Sequence, residues 1–108
     1  MKILQYAGGQ LRTGDEIATA LLEYSAALAE AGTAGTVEIP VLSDDGRRVT
    51  ATLLVGPASQ IVLTDSESSG EELVDEYVLA GLRARTRGLH PAASVLGDDD
   101  VPFDDDYE

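Results

Sequence analysis

The single histidine, His90, is the first residue of this sequence that could do acid–base chemistry. It precedes Pro91 and lies just beyond a predicted helix, in a connector that shows no periodic pattern. A general base needs an orienting partner on a fixed scaffold, and the sequence identifies none for this residue. We therefore expect His90 to be an ordinary surface residue.

Clustered aspartates are the second candidate, because carboxylate oxygens bind divalent cations. Two triplets, Asp98–Asp100 and Asp104–Asp106, lie near the C-terminus, and Asp44-Asp45 forms a pair. A calcium loop alternates its ligands and adds a glycine and a distal glutamate at fixed spacing, which consecutive aspartates do not provide. We predict weak counterion binding at the triplets, a turn at Asp44-Asp45 and no metal site.

The other reactive residue types lack the neighbours that catalysis needs. The chain has no cysteine, and therefore no thiolate nucleophile and no disulfide. Its serines lie in no nucleophile elbow, and its glycines match neither a phosphate loop nor a dinucleotide fingerprint. The serines considered as nucleophiles are Ser25, Ser43, Ser59 and Ser66. The sequence predicts no enzyme and no cofactor.

The net charge is −13, from 20 acidic and 7 basic side chains. A field of this sign repels phosphate backbones and attracts basic protein surfaces. We therefore expect a basic protein partner and no direct nucleic-acid binding. Without a long apolar run or a signal-peptide pattern, we expect no membrane association and a cytoplasmic location. The arginine-, alanine- and glycine-rich composition suggests a bacterial source.

The C-terminal segment combines acidic residues with isolated apolar ones. Such a segment can dock on a basic partner that also holds an apolar pocket; the alternative is a tail that only adds solubility. Its low complexity predicts disorder, so we expect a single domain over residues 1–90 and a flexible acidic tail over residues 91–108. The candidate partner-binding residues here are Phe103, Asp104, Asp105, Asp106 and Tyr107.

The clearest structural pattern lies in residues 36–55, where two alternating segments flank Asp44-Asp45-Gly46. Alternation of period two is typical of strands with one buried face, and Gly46 suits the positive-φ position that ends a three-residue hairpin loop. Because proline cannot donate to a ladder, Pro40 predicts that its strand is a sheet edge. The predicted register pairs Val41 with Val49, Ile39 with Ala51 and Val37 with Leu53. The opposite face offers a second candidate site, Glu38, Thr50 and Thr52.

Weaker patterns predict the remaining elements. An N-terminal hairpin precedes a helix that runs from a capping box at Thr13 to about Ala31. Residues 60–64 are predicted to be the third strand of a meander, and residues 70–87 a second helix that ends at Gly88. Its predicted buried stripe is Leu73, Val74, Tyr77, Val78 and Leu82. The expected fold is α+β: an antiparallel sheet of three to five strands with two helices on one face, in the order β(β)-α-β-β-β-α, then the acidic tail.

The function that fits best is a small acidic protein-binding module, accessory, regulatory or inhibitor-like. One alternative is a nucleic-acid-mimicking inhibitor, which requires carboxylates spaced along one folded face. Another is a small-molecule-binding domain or minor enzyme with a pocket between sheet and helices. A homodimer is also possible through an open sheet edge, with Leu42 and Leu54 as spare apolar surface.

Overall fold

The computed structural model describes residues 1–66 and 72–89. Its five strands form one antiparallel sheet in the order β4-β3-β2-β1-β5. Side chains of both helices and of the strands share one apolar core, which confirms the predicted α+β class. The elements are β1 (Lys2–Tyr6), β2 (Gly9–Thr13), α1 (Asp15–Ala31), β3 (Gly35–Leu42), β4 (Arg48–Val55), β5 (Ile61–Asp65) and α2 (Glu76–Leu89).

The β3–β4 hairpin has the predicted register and the predicted turn. Gly46 has a φ of 83°, and the Ser43 amide donates to the Arg47 carbonyl across 2.8 Å to close the loop. The apolar pairs are Val41 with Val49, Ile39 with Ala51 and Val37 with Leu53. One expectation fails, because Val49 is 41% exposed although it shares the inward face with buried Leu53.

The positions of β3 and β5 in the sheet differ from the prediction. β3 is not an edge, since it lies between β4 and β2 and meets β2 at Arg12 and Leu42. β5 does not extend a meander from β4 but pairs with β1 at the other end of the sheet. There Leu4 lies between Leu11 and Leu63 and is fully buried.

Helix α1 is capped by Gly14, so the predicted capping box at Thr13 is wrong. Thr13 is the last residue of β2, and its buried hydroxyl donates instead to the Pro40 carbonyl at 2.7 Å. The helix ends as predicted, with Gly32 in the left-handed region at a φ of 70° and its amide donating to the Ala29 carbonyl. The predicted stripe is buried and consists of Ile17, Leu21, Tyr24 and Leu28.

Helix α2 begins at Glu76, later than the predicted start at residue 70. Asp75 caps it, because its carboxylate accepts the Val78 amide at 3.1 Å and its carbonyl accepts the Leu79 amide at 3.0 Å. The helix continues through Gly88 to Leu89, so the predicted stop at Gly88 is wrong.

Contacts with the start of α1 explain why α2 begins late. Glu72 accepts the Asp15 amide and binds the Met1 α-ammonium at 2.8 Å. The Leu73 carbonyl lies directly against Gly14, where a Cβ would collide with it. Hydrogen bonds to Glu72 and then to Asp15 raise the pKa of the Met1 ammonium. Residues 72–75 are therefore tied to the start of α1 and are not helical.

Candidate functional site

The predicted sheet-face residues lie together on the outer face of the β3–β4 hairpin. Glu38 is directly opposite Thr52, and Thr50 is directly opposite Pro40. Glu38, Thr50 and Thr52 are exposed, whereas Pro40 is buried. The structure thus brings these three residues into one solvent-facing patch, as the predicted register requires.

At residues 36 and 40, side chains from other elements contact the edge of β3 that faces away from β4. Because the Ser43 amide bonds to the Arg47 carbonyl across the hairpin loop, the odd-numbered residues of β3 bond to β4 and the even-numbered ones direct their backbone groups to the other side. There the Thr36 carbonyl accepts from the Arg85 guanidinium at 3.1 Å, and the Pro40 carbonyl accepts from Thr13. Proline is tolerated here because β2 ends at Thr13 and does not require its missing amide hydrogen.

A groove of about 760 Å³ lies between this hairpin and α2, and we call it the β3–α2 groove. Glu38 and Thr50 line it from the strands, while Thr52 does not. Two arginines also line it, and each is held by contacts within the chain. Arg48 pairs with the α2 cap Asp75 at 2.9 Å. Arg85 bonds to β3 and stacks 4.6 Å from the centre of the Tyr24 ring, a cation–π contact.

Tyr77 lies on the rim of this groove and is 88% exposed, so the prediction that it belongs to the buried stripe is wrong. The predicted burial of Val74 is wrong as well. Since the helix begins at Glu76, its inward face contains Leu79 and Leu82, with Val78 partly buried. Reading Asp75 as the N-cap would have identified this face from the sequence, because Asp is a preferred cap residue.

A second cavity of about 790 Å³, the β4–β5 cleft, lies between the β1–β2 turn and the segment that joins β4 to β5. Its rim holds two exposed apolar residues, Leu54 at 63% and Val62 at 51%. Ser59 and Gln60 line it, and the Ser59 hydroxyl also accepts the Gly56 amide at 2.9 Å within the turn. The Tyr6 hydroxyl donates to the Leu54 carbonyl and connects β1 to β4 at this cleft.

The candidate nucleophiles that the structure describes have structural contacts. The Ser43 hydroxyl donates to the Asp45 carboxylate, which lowers the pKa of that carboxyl, and the Arg47 amide lowers it further. Ser25 is buried in α1. Within residues 1–66 and 72–89, no group of three or more acidic, histidine or cysteine side chains is placed to hold a metal ion.

The candidate residues of the acidic tail lie outside the described residues. These are Phe103, Asp104, Asp105, Asp106 and Tyr107, and His90 lies outside them as well. The division into a domain over residues 1–90 and a tail over residues 91–108 stays a prediction.

No family model, curated protein or solved structure matches this chain. In the part of the chain that the structure describes, neither helix has the length and apolar character needed to span a bilayer.

Proposed function

We propose that this chain is a small acidic protein-binding module, accessory, regulatory or inhibitor-like, that docks a basic protein partner on the β3–α2 groove. The observation that carries this proposal is Tyr77, a large side chain that is 88% exposed on the groove rim. Tyrosine provides a wide amphipathic contact surface and is frequent among residues that dominate binding energy. Its exposure fits a contact made with a second protein.

The charge supports a basic partner. Arg48 and Arg85 are occupied by contacts within the chain, whereas Glu38 is exposed beside them and the whole chain carries −13. A field of this sign speeds encounter with a positive surface and disfavours acidic competitors. In this proposal the residues 103–107 add an electrostatic contact with two aromatic anchors.

Site-specific crosslinking in the full-length protein tests the groove. A photoreactive phenylalanine analogue is placed at position 77 in the producing cell, and a control variant carries it at Glu23, which is exposed on α1. We expect position 77, and not position 23, to capture a protein with a high isoelectric point. Capture of the same proteins from both positions, or of an acidic protein from position 77, would contradict the proposal.

The captured partner then allows the groove and the tail to be tested separately in the full chain. Tyr77→Ala should weaken binding by about 10- to 100-fold if this side chain is an interface anchor. Phe103→Ala and the triple change D104N, D105N and D106N should weaken binding less, and the triple change should also reduce its salt dependence. Unchanged affinity in both tail variants would show that the tail only adds solubility.

A second candidate function, small-molecule binding, is favoured by the β4–β5 cleft. Its volume of about 790 Å³ lies within the range of small-ligand sites, and the amides of Gln5, Gln10 and Gln60 line it without a charged side chain. A neutral polar ligand with one apolar face fits this lining. Screening neutral fragments by NMR should give shifts clustered on these glutamines, and the absence of any clustered shift would remove this candidate.

A further inference from the structure

Glu38 lies on a stretch of the β3 edge to which the described residues add no strand. The phase of the β3–β4 ladder directs its amide and its carbonyl away from β4, and the Thr36 amide faces the same way. On that side the described residues pair β2 with β3 at Leu42 alone, so β2 does not reach Glu38. This stretch of β3 therefore offers two backbone donors and one acceptor to an added strand.

Contacts within the chain close both ends of this stretch. Arg85 donates to the Thr36 carbonyl at 3.1 Å, and Thr13 donates to the Pro40 carbonyl at 2.7 Å. Pro40 also has no amide hydrogen to donate. Glu38 is therefore the residue at which an added strand can form both ladder bonds without displacing a contact, and this fixes the register of that strand.

The β3–α2 groove gives an added strand its place beside β3. Residues 36–40 line one wall of the groove without interruption, Tyr77 lines the α2 wall, and at one end the Arg85 side chain spans from α2 to β3. The free amides of Thr36 and Glu38 are about 7 Å apart along the strand, the spacing at which an extended backbone repeats its own carbonyls. The groove therefore matches an extended chain segment.

We propose that an extended segment of the basic partner adds to β3 as an antiparallel strand inside the β3–α2 groove, with a lysine or arginine opposite Glu38. This inference rests on the proposed function and specifies how the partner is held. One residue of the segment forms both ladder bonds with Glu38, and its side chain then lies beside the Glu38 carboxylate. Main-chain bonds hold the segment, and the side chain opposite Glu38 sets its specificity.

The charge at Glu38 favours a basic residue at that position. Its side chain is exposed, and the ion pairs among the described residues do not include it. The two arginines of the groove have other partners, since Arg48 pairs with Asp75 and Arg85 stacks on the Tyr24 ring. A cationic side chain from the segment supplies the missing partner of Glu38, and the net charge of −13 favours a basic segment over an acidic one.

NMR titration of the full-length protein with a defined peptide tests the added strand. The probe is the blocked pentapeptide Thr-Val-Lys-Val-Thr, whose residues favour strands around the central lysine. N-methylation of the lysine removes the amide that bonds to the Glu38 carbonyl but keeps the charge. The matched control is methylated at the preceding valine, whose amide points away from β3.

We expect the amide signals of Thr36 and Glu38 to shift most. The peptide methylated at lysine should have a dissociation constant at least about tenfold higher than the unmodified peptide, and the valine control should bind almost as the unmodified peptide does. Equal affinities of the lysine-methylated and unmodified peptides would overturn the added strand. The absence of any shift at these two amides with millimolar peptide would overturn it as well.

Glu38→Gln tests the charge, with Glu23→Gln on the exposed side of α1 as the control. The wild type should bind the lysine peptide at least about fivefold more tightly than the same peptide with a central glutamate. Glu38→Gln should remove most of this preference, and Glu23→Gln should leave it unchanged. A preference that survives Glu38→Gln would refute the pairing of a basic residue with Glu38.

The peptide titration and the crosslinking at position 77 can fail separately. If position 77 captures a basic protein but methylation of the lysine has no effect, the partner docks on the groove without adding a strand, and this inference is wrong. If methylation has its expected effect but position 77 captures no basic protein, the added strand at Glu38 is supported and the proposed function is wrong.

Discussion

The β3–β4 hairpin and α2 are both attached to the same core, but by contacts of different range. The hairpin closes through bonds between Ser43 and Arg47, four residues apart. Helix α2 is attached through Arg48 to Asp75, 27 residues away, and through Thr36 to Arg85, 49 residues away. The register of the hairpin therefore depends on contacts within the hairpin, whereas the position of α2 depends on contacts with residues far away in the sequence.

The largest expected effect tests which face of α2 is inward. Leu79→Ala should lower the free energy of unfolding by about 2–5 kcal/mol, because it empties a core position. Tyr77→Ala should change it by less than about 0.5 kcal/mol, since that side chain is almost fully in solvent. Urea unfolding measures both. A larger loss for Tyr77→Ala would mean that the helix turns a different face to the core.

The next effect tests the contact that delays α2. Gly14→Ala should cost about 1–3 kcal/mol, because a Cβ there collides with the Leu73 carbonyl and overpacks the contact. Gly81→Ala is the matched control: it lies inside α2 with open space around it, and should stabilise the protein by about 0.5–1 kcal/mol. Equal effects of the two changes would show that the 72–75 segment does not lie against Gly14.

A smaller effect tests the local character of the hairpin. Gly46→Ala forces an L-residue to a φ of 83° and should cost about 1–2 kcal/mol, whereas Gly46→Asn should cost less. Thermal unfolding compares the two variants. If the two variants unfold at the same temperature, the loop does not require a residue that favours the left-handed region at position 46.

The smallest effect is a pH dependence in the same turn. The Ser43 hydroxyl lowers the pKa of the Asp45 carboxyl below its ordinary value, so the folded state binds a proton less readily than the unfolded state. The resulting stabilisation is present above the unfolded pKa of about 3.9 and is lost as the pH falls through the folded pKa. In Asp45→Asn the urea midpoint should therefore fall less steeply with acid than in the wild type. If the urea midpoints of the two proteins fall equally with decreasing pH, this carboxylate does not contribute to the stability of the folded state.

The residues of the candidate site differ in whether the sequence predicts their positions. Glu38, Thr50 and Thr52 could be placed on one face because alternation and a three-residue turn together allow one register. The sequence prediction for Tyr77 is wrong because apolar spacing alone also fits a helix that begins at residue 70, and Asp75 as the cap is the signal that excludes that helix. The full lining of each cavity could not be predicted, since its residues come from separate elements that only the fold brings together.

The sequence by itself determined the α+β class, the hairpin register, the body of α1 and the acidity of the chain. These features follow from the periodic spacing of apolar side chains, from one glycine turn and from the number of charged residues. None of them depends on contacts between distant parts of the chain. The tertiary structure alone decided that β3 is interior, that β5 joins β1, that Thr13 bonds to Pro40 and that residues 72–73 contact the start of α1. Each of these depends on groups far apart in the chain competing for the same partners, and local patterns carry no information about that competition.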